Sequence, residues 1–121
     1  MKPNTIARSL AIGNPADGFY ALGSIRETNG SSEDVSDEEI VDAIKLLASA
    51  EGIFTETAGG SPWVWRRKLV EQGKIPKNES IVVCITGNGL KTQEAVAGKV
   101  GAAATINAKL SEFDEVAKNG F

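Results

Sequence analysis

The feature that most constrains the fold is a run of consecutive apolar residues that ends in a glycine-rich turn. Residues 81–85 read IVVCI and are followed at once by TGNG. A continuous apolar run of this length is typical of a strand that helices cover on both faces of a parallel sheet. We therefore predict that this run is a buried strand, with Cys84 inert inside the core.

Helical patterns precede this run. Ser36 stands three residues before Glu39, the spacing of a capping box that satisfies two unpaired N–H groups at a helix start. An apolar stripe follows at helical spacing, and Gly52 marks the helix end. Further helices are predicted at 16–28, 62–73, 93–100 and 111–118. A second strand is predicted at 53–57, and residues 33–35 are a candidate for a third.

Strands that alternate with helices imply right-handed crossovers and a parallel sheet covered by helices. We therefore predict an α/β fold with three layers, helix–sheet–helix, around a mostly parallel sheet. The prediction treats residues 1–121 as a single domain. Two clear strands make a thin sheet for an independent domain, so the chain looks like part of a larger fold.

The composition excludes several classes of function. The chain has no histidine, which removes the Ser-His-Asp arrangement and most zinc sites, so no metal site is predicted. A formal net charge of −3 gives no electrostatic basis for binding nucleic acid or an anionic membrane. No apolar run approaches the roughly 20 residues of a membrane span. The single cysteine rules out an internal disulfide and fits a reducing cytoplasm.

The turn at residues 86–89 is the sharpest candidate for a binding site. Ligands of open α/β sheets bind beyond the carboxyl ends of the strands. Gly87 and Gly89 let the backbone approach a flat ligand closely, and the hydroxyl of Thr86 can donate one hydrogen bond. The alternative is a tight turn whose glycines only supply positive φ, since GxG is common after strands.

Four blocks of the sequence together resemble a known family. They are residues 9–18 (SLAIGNPADG), 35–40 (VSDEEI), 51–60 (EGIFTETAGG) and 86–91 (TGNGLK). In order and spacing they resemble the C-terminal third of threonine synthases, and TGNGLK is the most specific block. Residues 1–96 are family-like, whereas residues 97–121 resemble the family only loosely.

The resemblance implies part of a fold type II pyridoxal-phosphate enzyme domain, like the tryptophan synthase β subunit. The intact enzyme would convert O-phospho-L-homoserine and water into L-threonine and phosphate in threonine biosynthesis. In that family the threonine of the turn hydrogen-bonds the pyridine nitrogen of pyridoxal phosphate, and the resemblance assigns this role to Thr86. Gly87 and Gly89 would give the ring edge room. Asn88 would either face the site or take a left-handed turn position.

The resemblance also places the Schiff-base lysine and the phosphate cradle outside this sequence. Both belong to the N-terminal two-thirds of such enzymes, and neither has a counterpart here. Lys91 is nearest the turn, but its position does not match the Schiff-base lysine. We therefore expect no catalytic residue, no bound cofactor and no activity in this chain alone. A half of a split enzyme and a non-catalytic interaction module both stay open, as does association with itself or with an N-terminal half.

Residues 57–66 depart from the family pattern. Thr57 stands where many members have proline, and residues 61–66 (SPWVWR) replace a stretch that is normally small and apolar. Trp63 and Trp65 are therefore expected to face a surface or a partner. The acidic residues within 33–39 and the basic residues 66–68 are predicted to be solvated helix positions rather than binding sites.

Two neighbouring features of the second strand are also candidates for the cleft. Glu56 lies at the end of that strand, and Gly59 and Gly60 follow the strand. All three are therefore placed near the ligand. For the two glycines a structural role is preferred. Apart from this pair, the sequence offers no glycine-rich helix start that would bind a phosphate group.

Overall fold

The computed structural model describes residues 2–76, 78–101 and 104–119. Within these residues the regular elements are helical. The α-helices are α1 (Gly18–Glu27), α2 (Asp37–Glu51), α3 (Thr57–Glu71) and α4 (Leu110–Asn119), and single 3₁₀ turns lie at Arg8–Leu10, Gly89–Lys91 and Gln93–Ala95.

The start and end of α2 confirm the local signals of the sequence. Ser36 Oγ accepts a hydrogen bond from the Glu39 N–H at 3.2 Å, and the Ser36 N–H donates to Glu39 Oε2 at 2.8 Å. Gly52 ends the helix with a φ of 69°, in the left-handed region that glycine adopts at low cost. The capping box and the C-terminal glycine therefore fix α2 at both ends.

The core lies where α2 packs on α3. Its buried apolar side chains come mainly from these two helices and include Ile40, Val41, Ile44, Leu47, Val64 and Leu69. Gly60 of α3 permits the close approach, because an added Cβ would lie 3.1 Å from Ile44 Cγ1 and 3.2 Å from the Ile40 carbonyl oxygen. The pair α2–α3 is thus the scaffold on which the remaining segments rest.

Helix α3 begins five residues earlier than predicted. The N–H groups of Gly59 and Gly60 both donate to the Glu56 carbonyl, at 2.9 and 3.1 Å, so the two glycines are part of the first helical turn. Pro62 lies inside the helix rather than at its start. Glycine is read as a turn residue from sequence, whereas here its small size serves helix packing.

The structure does not confirm the predicted sheet, since the described residues contain no strand. The 53–57 segment makes one isolated antiparallel bridge, between Thr55 and Asn88, and residues 33–35 form no regular element. Residues 81–85 are also irregular; Val82 is 87% exposed and Cys84 is exposed rather than buried. A strand needs a neighbour to pair its backbone groups, and the described residues supply none beside this run.

Two of the other predicted helices are confirmed with small changes at their ends, and a third is not. Helix α1 covers most of the predicted 16–28, and α4 extends the predicted 111–118 by one residue at each end. The helix predicted at 93–100 is reduced to the turn Gln93–Ala95, and Gly98 has a φ of 72° that a helix does not accommodate. In the described part of the chain, no helix is long and apolar enough to cross a membrane.

Candidate cofactor-binding turn

The 86–89 turn lies directly against residues 54–56, which precede α3. The Gly89 N–H donates to the Phe54 carbonyl at 3.0 Å, and the Glu56 N–H donates to the Gly87 carbonyl at 3.4 Å. The Thr55 hydroxyl also donates to the Gly87 carbonyl, at 3.3 Å. These bonds connect residues more than 30 positions apart, so the turn is held by tertiary contacts.

The glycines of this junction are needed for protein packing. A Cβ at Gly87 would overlap the Glu56 carboxylate, and one at Gly89 would lie 2.5 Å from the Phe54 ring. Gly87 also has a φ of 76°, which side-chain-bearing residues rarely adopt. At Gly59, a Cβ would lie 2.7 Å from the Thr86 carbonyl oxygen. Close approach of the two segments therefore explains these glycines before any ligand is considered.

Asn88 caps the turn and does not occupy the predicted left-handed position. Its φ is −91°, and its Oδ1 accepts a hydrogen bond from the Leu90 N–H at 2.9 Å. This bond satisfies the second backbone donor of the 3₁₀ turn Gly89–Lys91, whose first donor, the Gly89 N–H, is bonded to Phe54. The left-handed residue is its neighbour Gly87, where no side chain opposes the conformation.

Thr86 presents its side chain to the surface beside this junction. The residue is exposed, and within the described residues its hydroxyl makes no hydrogen bond. Its carbonyl, by contrast, packs against Gly59. A fixed backbone with a free hydroxyl is the arrangement that a ligand-binding threonine requires.

An ion pair connects Glu56, just before α3, with Lys91, just beyond the 86–89 turn. Lys91 Nζ lies 3.1 Å from Glu56 Oε2, with the Glu56 side chain 9% exposed and the Lys91 side chain 65% exposed. Sequence reasoning placed Glu56 near the cleft but missed its partner, because a pair 35 positions apart leaves no local pattern. Lys91 is thus engaged by a carboxylate.

Three of the first four N–H groups of α3 are already engaged within the protein. The Thr57 N–H donates to Thr92 Oγ1 at 3.2 Å, and the N–H groups of Gly59 and Gly60 donate to the Glu56 carbonyl. A phosphate site at a helix start needs free N–H groups. The structural role preferred for the two glycines from sequence fits this arrangement.

Two acidic side chains, one before α2 and one within it, are paired with lysines. Glu39 Oε2 lies 2.9 Å from Lys68 Nζ, and Glu33 Oε1 lies 2.8 Å from Lys74 Nζ. The hydrogen bond from the Ser36 backbone and that from Lys68 lower the pKa of Glu39 below its ordinary value. The bond from Lys74 likewise lowers the pKa of Glu33. Over the described residues, no group of three or more candidate ligands is placed to hold a metal ion.

The two tryptophans lie at the surface of α3. Both are half-buried, and the Arg66 guanidinium lies 5.2 Å from the centre of the Trp63 ring. Trp65 lines an apolar cavity of about 430 Å³ together with Leu10, Val35 and Pro62. Among the basic residues 66–68, Arg67 forms an ion pair with Glu71, one helical turn away, with 3.7 Å between Arg67 Nε and Glu71 Oε1.

The chain matches the profile of a known protein family. A family profile described as pyridoxal-phosphate dependent enzyme matches residues 1–87, which include Thr86 and Gly87. The chain belongs to this family of pyridoxal-phosphate dependent enzymes.

The similar curated proteins are threonine synthases. The chain is 48% identical to the threonine synthase of Methanocaldococcus jannaschii over 93 residues, which are 77% of this chain and 23% of that protein. It is 46% identical to that of Bacillus sp. (strain ULM1) over 90 residues, which are 74% of this chain and 26% of that protein. The Mycobacterium tuberculosis enzyme is 36% identical over 89 residues, 74% of this chain and 25% of that protein. The chain therefore spans about a quarter of the length of the relatives it matches.

The 86–89 turn fits one part of the cofactor that this family implies. The ring nitrogen of pyridoxal phosphate needs a hydrogen-bonding group, and the exposed Thr86 hydroxyl is free to provide one. The charged groups nearest in the junction, Glu56 and Lys91, are paired with each other. The residues present thus suit a neutral contact to the ring.

Proposed function

We propose that this chain is the part of a threonine-synthase-type enzyme that contacts the pyridine ring of pyridoxal phosphate. The observation that carries the proposal is the free hydroxyl of Thr86 on a turn held by tertiary contacts. Bound pyridoxal phosphate supplies an electron sink for carbanion chemistry. A neutral hydroxyl at the ring nitrogen makes that sink more moderate than an aspartate would.

The proposed reaction of the intact enzyme converts O-phospho-L-homoserine and water into L-threonine and phosphate. Its support is the similarity to proteins named threonine synthase, at 36–48% identity over about three-quarters of this chain. A cytoplasmic location is part of the same proposal. In this proposal Thr86, Gly87, Asn88 and Gly89 form the ring contact, with Asn88 shaping the turn.

The lysine that binds the cofactor covalently is proposed to lie outside these 121 residues, in the same polypeptide or in another. Lys91 is the lysine nearest the turn, and its pairing with Glu56 supports a structural role for it. Three of the first four N–H groups of α3 already donate hydrogen bonds, which supports a phosphate site outside these 121 residues. The chain alone is therefore expected to be inactive.

Incubation with pyridoxal phosphate, reduction with borohydride and mass spectrometry test this assignment. We expect only sparse adducts scattered over surface lysines, because no lysine among the described residues is placed as the covalent partner. A Lys91→Arg variant serves as the matched control and should give the same sparse pattern. One stoichiometric adduct on a single lysine would overturn the proposal, since the chain would then hold a self-sufficient site.

A second candidate function is a module that binds another protein chain. The observation in its favour is a set of large apolar side chains left in solvent, including Phe19 (83% exposed), Val82 (87%) and Leu110 (75%). Where such side chains form a contiguous patch, they are typical of surfaces that meet a partner. Activity regained with a lysine-bearing partner would favour the enzyme, and stable partner binding without activity would favour the module.

A further inference from the structure

Glu56 is a buried carboxylate whose side chain is directed away from its own helix. It is the N-cap residue of α3, yet its side chain makes no capping hydrogen bond. A carboxylate is costly to bury unless it is paired. Its partner is Lys91, with 3.1 Å between Lys91 Nζ and Glu56 Oε2. The Glu56 side chain is therefore held by Lys91, two residues beyond the 86–89 turn, and not by α3.

The carboxylate occupies space that Gly87 leaves empty. A Cβ on Gly87 would overlap the carboxylate group and would lie 2.6 Å from Glu56 Cγ. The backbone of the same residue also reaches the turn, since the Glu56 N–H donates to the Gly87 carbonyl. Glu56 thus contacts the turn at Gly87 through its side chain and its backbone, while Lys91 holds it from the far end.

We infer that Glu56 and Lys91 are positioning residues, a latch that fixes the 86–89 turn and so sets where the Thr86 hydroxyl points. An ion pair is attenuated less by water when one partner is shielded, and this one is largely shielded on the Glu56 side. The value of the latch for catalysis rests on the proposed function. The latch itself is a property of the protein without cofactor.

Amide hydrogen exchange measured by NMR on the cofactor-free chain tests the latch. The probe is the Gly89 N–H, which donates to the Phe54 carbonyl across the junction. Amides of Ile44 and Leu47 in α2 report global opening. The variants are Glu56→Gln and Lys91→Met, which keep size and remove one charge, with Lys91→Arg as the control that keeps the pair.

We expect Glu56→Gln and Lys91→Met to speed exchange at Gly89 about threefold or more, with α2 unchanged. Lys91→Arg should stay within about twofold of the original chain, because its charge is retained. Unchanged exchange in the charge-removing variants, equal acceleration in Lys91→Arg, or equal acceleration in α2 would each overturn the latch. None of these measurements contains the cofactor, so a failure here leaves the proposed role of Thr86 to its own test.

Discussion

Thr57 carries an unsatisfied hydroxyl in the core. The residue is fully buried, and within the described residues its Oγ1 makes no hydrogen bond, although its N–H donates to Thr92. A buried hydroxyl without a partner costs about 1–3 kcal/mol. The fold therefore retains a destabilising group at the first position of α3.

Thr57→Val should raise the free energy of unfolding by about 1 kcal/mol, because it removes the unpaired hydroxyl and keeps the branched shape. Urea denaturation of both proteins measures the change. Thr5→Val is the matched control, and it should lower stability because the Thr5 hydroxyl donates to Asp37. A loss of stability in Thr57→Val would contradict the account of this hydroxyl.

A comparison of Gly87 with Gly52 separates the cost of steric overlap from the cost of a positive φ. Both have positive φ, 76° and 69°, but only Gly87 faces a side chain where a Cβ would lie; at Gly52 nothing lies within 4 Å. Gly52→Ala should cost about 1 kcal/mol for its conformation alone. Gly87→Ala should cost at least about 2 kcal/mol, because Glu56 must also move. Equal losses in thermal or urea unfolding would mean that Glu56 does not pack on Gly87.

At the scale of elements, α2 is tied to α3 by Lys68 as well as by its apolar face. Glu39 accepts hydrogen bonds from the N–H of Ser36, the N-cap residue of α2, and from Lys68 on α3. Both bonds favour the ionised carboxylate, which lowers the pKa of Glu39. The capping box and the interhelix ion pair therefore depend on the same charge.

The lowered pKa of Glu39 predicts a pH dependence of stability. The unfolded chain binds the proton more readily, so the contribution is present above the ordinary pKa of 4.5 and is lost as pH falls through the lower folded value. Urea midpoints should therefore fall below about pH 4.5 in the original chain. In Glu39→Gln this fall should be smaller, and an identical pH profile in the variant would contradict the assignment.

Elements that depend on signals within a few residues were predicted from the sequence. Elements that depend on long-range contacts were not. The capping box and Gly52 gave α2 its bounds, because both act within a few residues. The apolar run 81–85 was read as a buried strand, but burial depends on what lies beside it, and Val82 is exposed here. Thr86 was singled out from its motif, whereas its support by Glu56 and Lys91 required the structure.

At the scale of the whole molecule, the described residues leave much apolar surface in solvent. Phe19 and Tyr20 of α1 are 83% and 72% exposed and pack edge-to-face on each other. Together with Val82 and Leu110 they present surface that water solvates poorly. The chain also spans about a quarter of the relatives' length. We propose that further protein covers part of this apolar surface.

We therefore predict that the chain self-associates as its concentration rises. Sedimentation velocity over a wide concentration range measures this directly. Phe19→Ser should weaken the association, since it removes a large exposed ring without touching the core. A single monomeric species at every concentration would contradict the prediction.

The central claim is that Thr86 contacts the cofactor ring, and a chimera tests it most directly. This chain replaces the matching quarter of the Methanocaldococcus jannaschii threonine synthase, and phosphate release from O-phospho-L-homoserine is followed with pyridoxal phosphate present. Thr86→Val is compared with Thr86→Ser, which keeps the hydroxyl, and with Thr105→Val at an exposed position outside the turn. We predict that Thr86→Val lowers kcat about tenfold or more, whereas the other two stay near the unsubstituted chimera. An active chimera in which Thr86→Val matches the original kcat would contradict the claim.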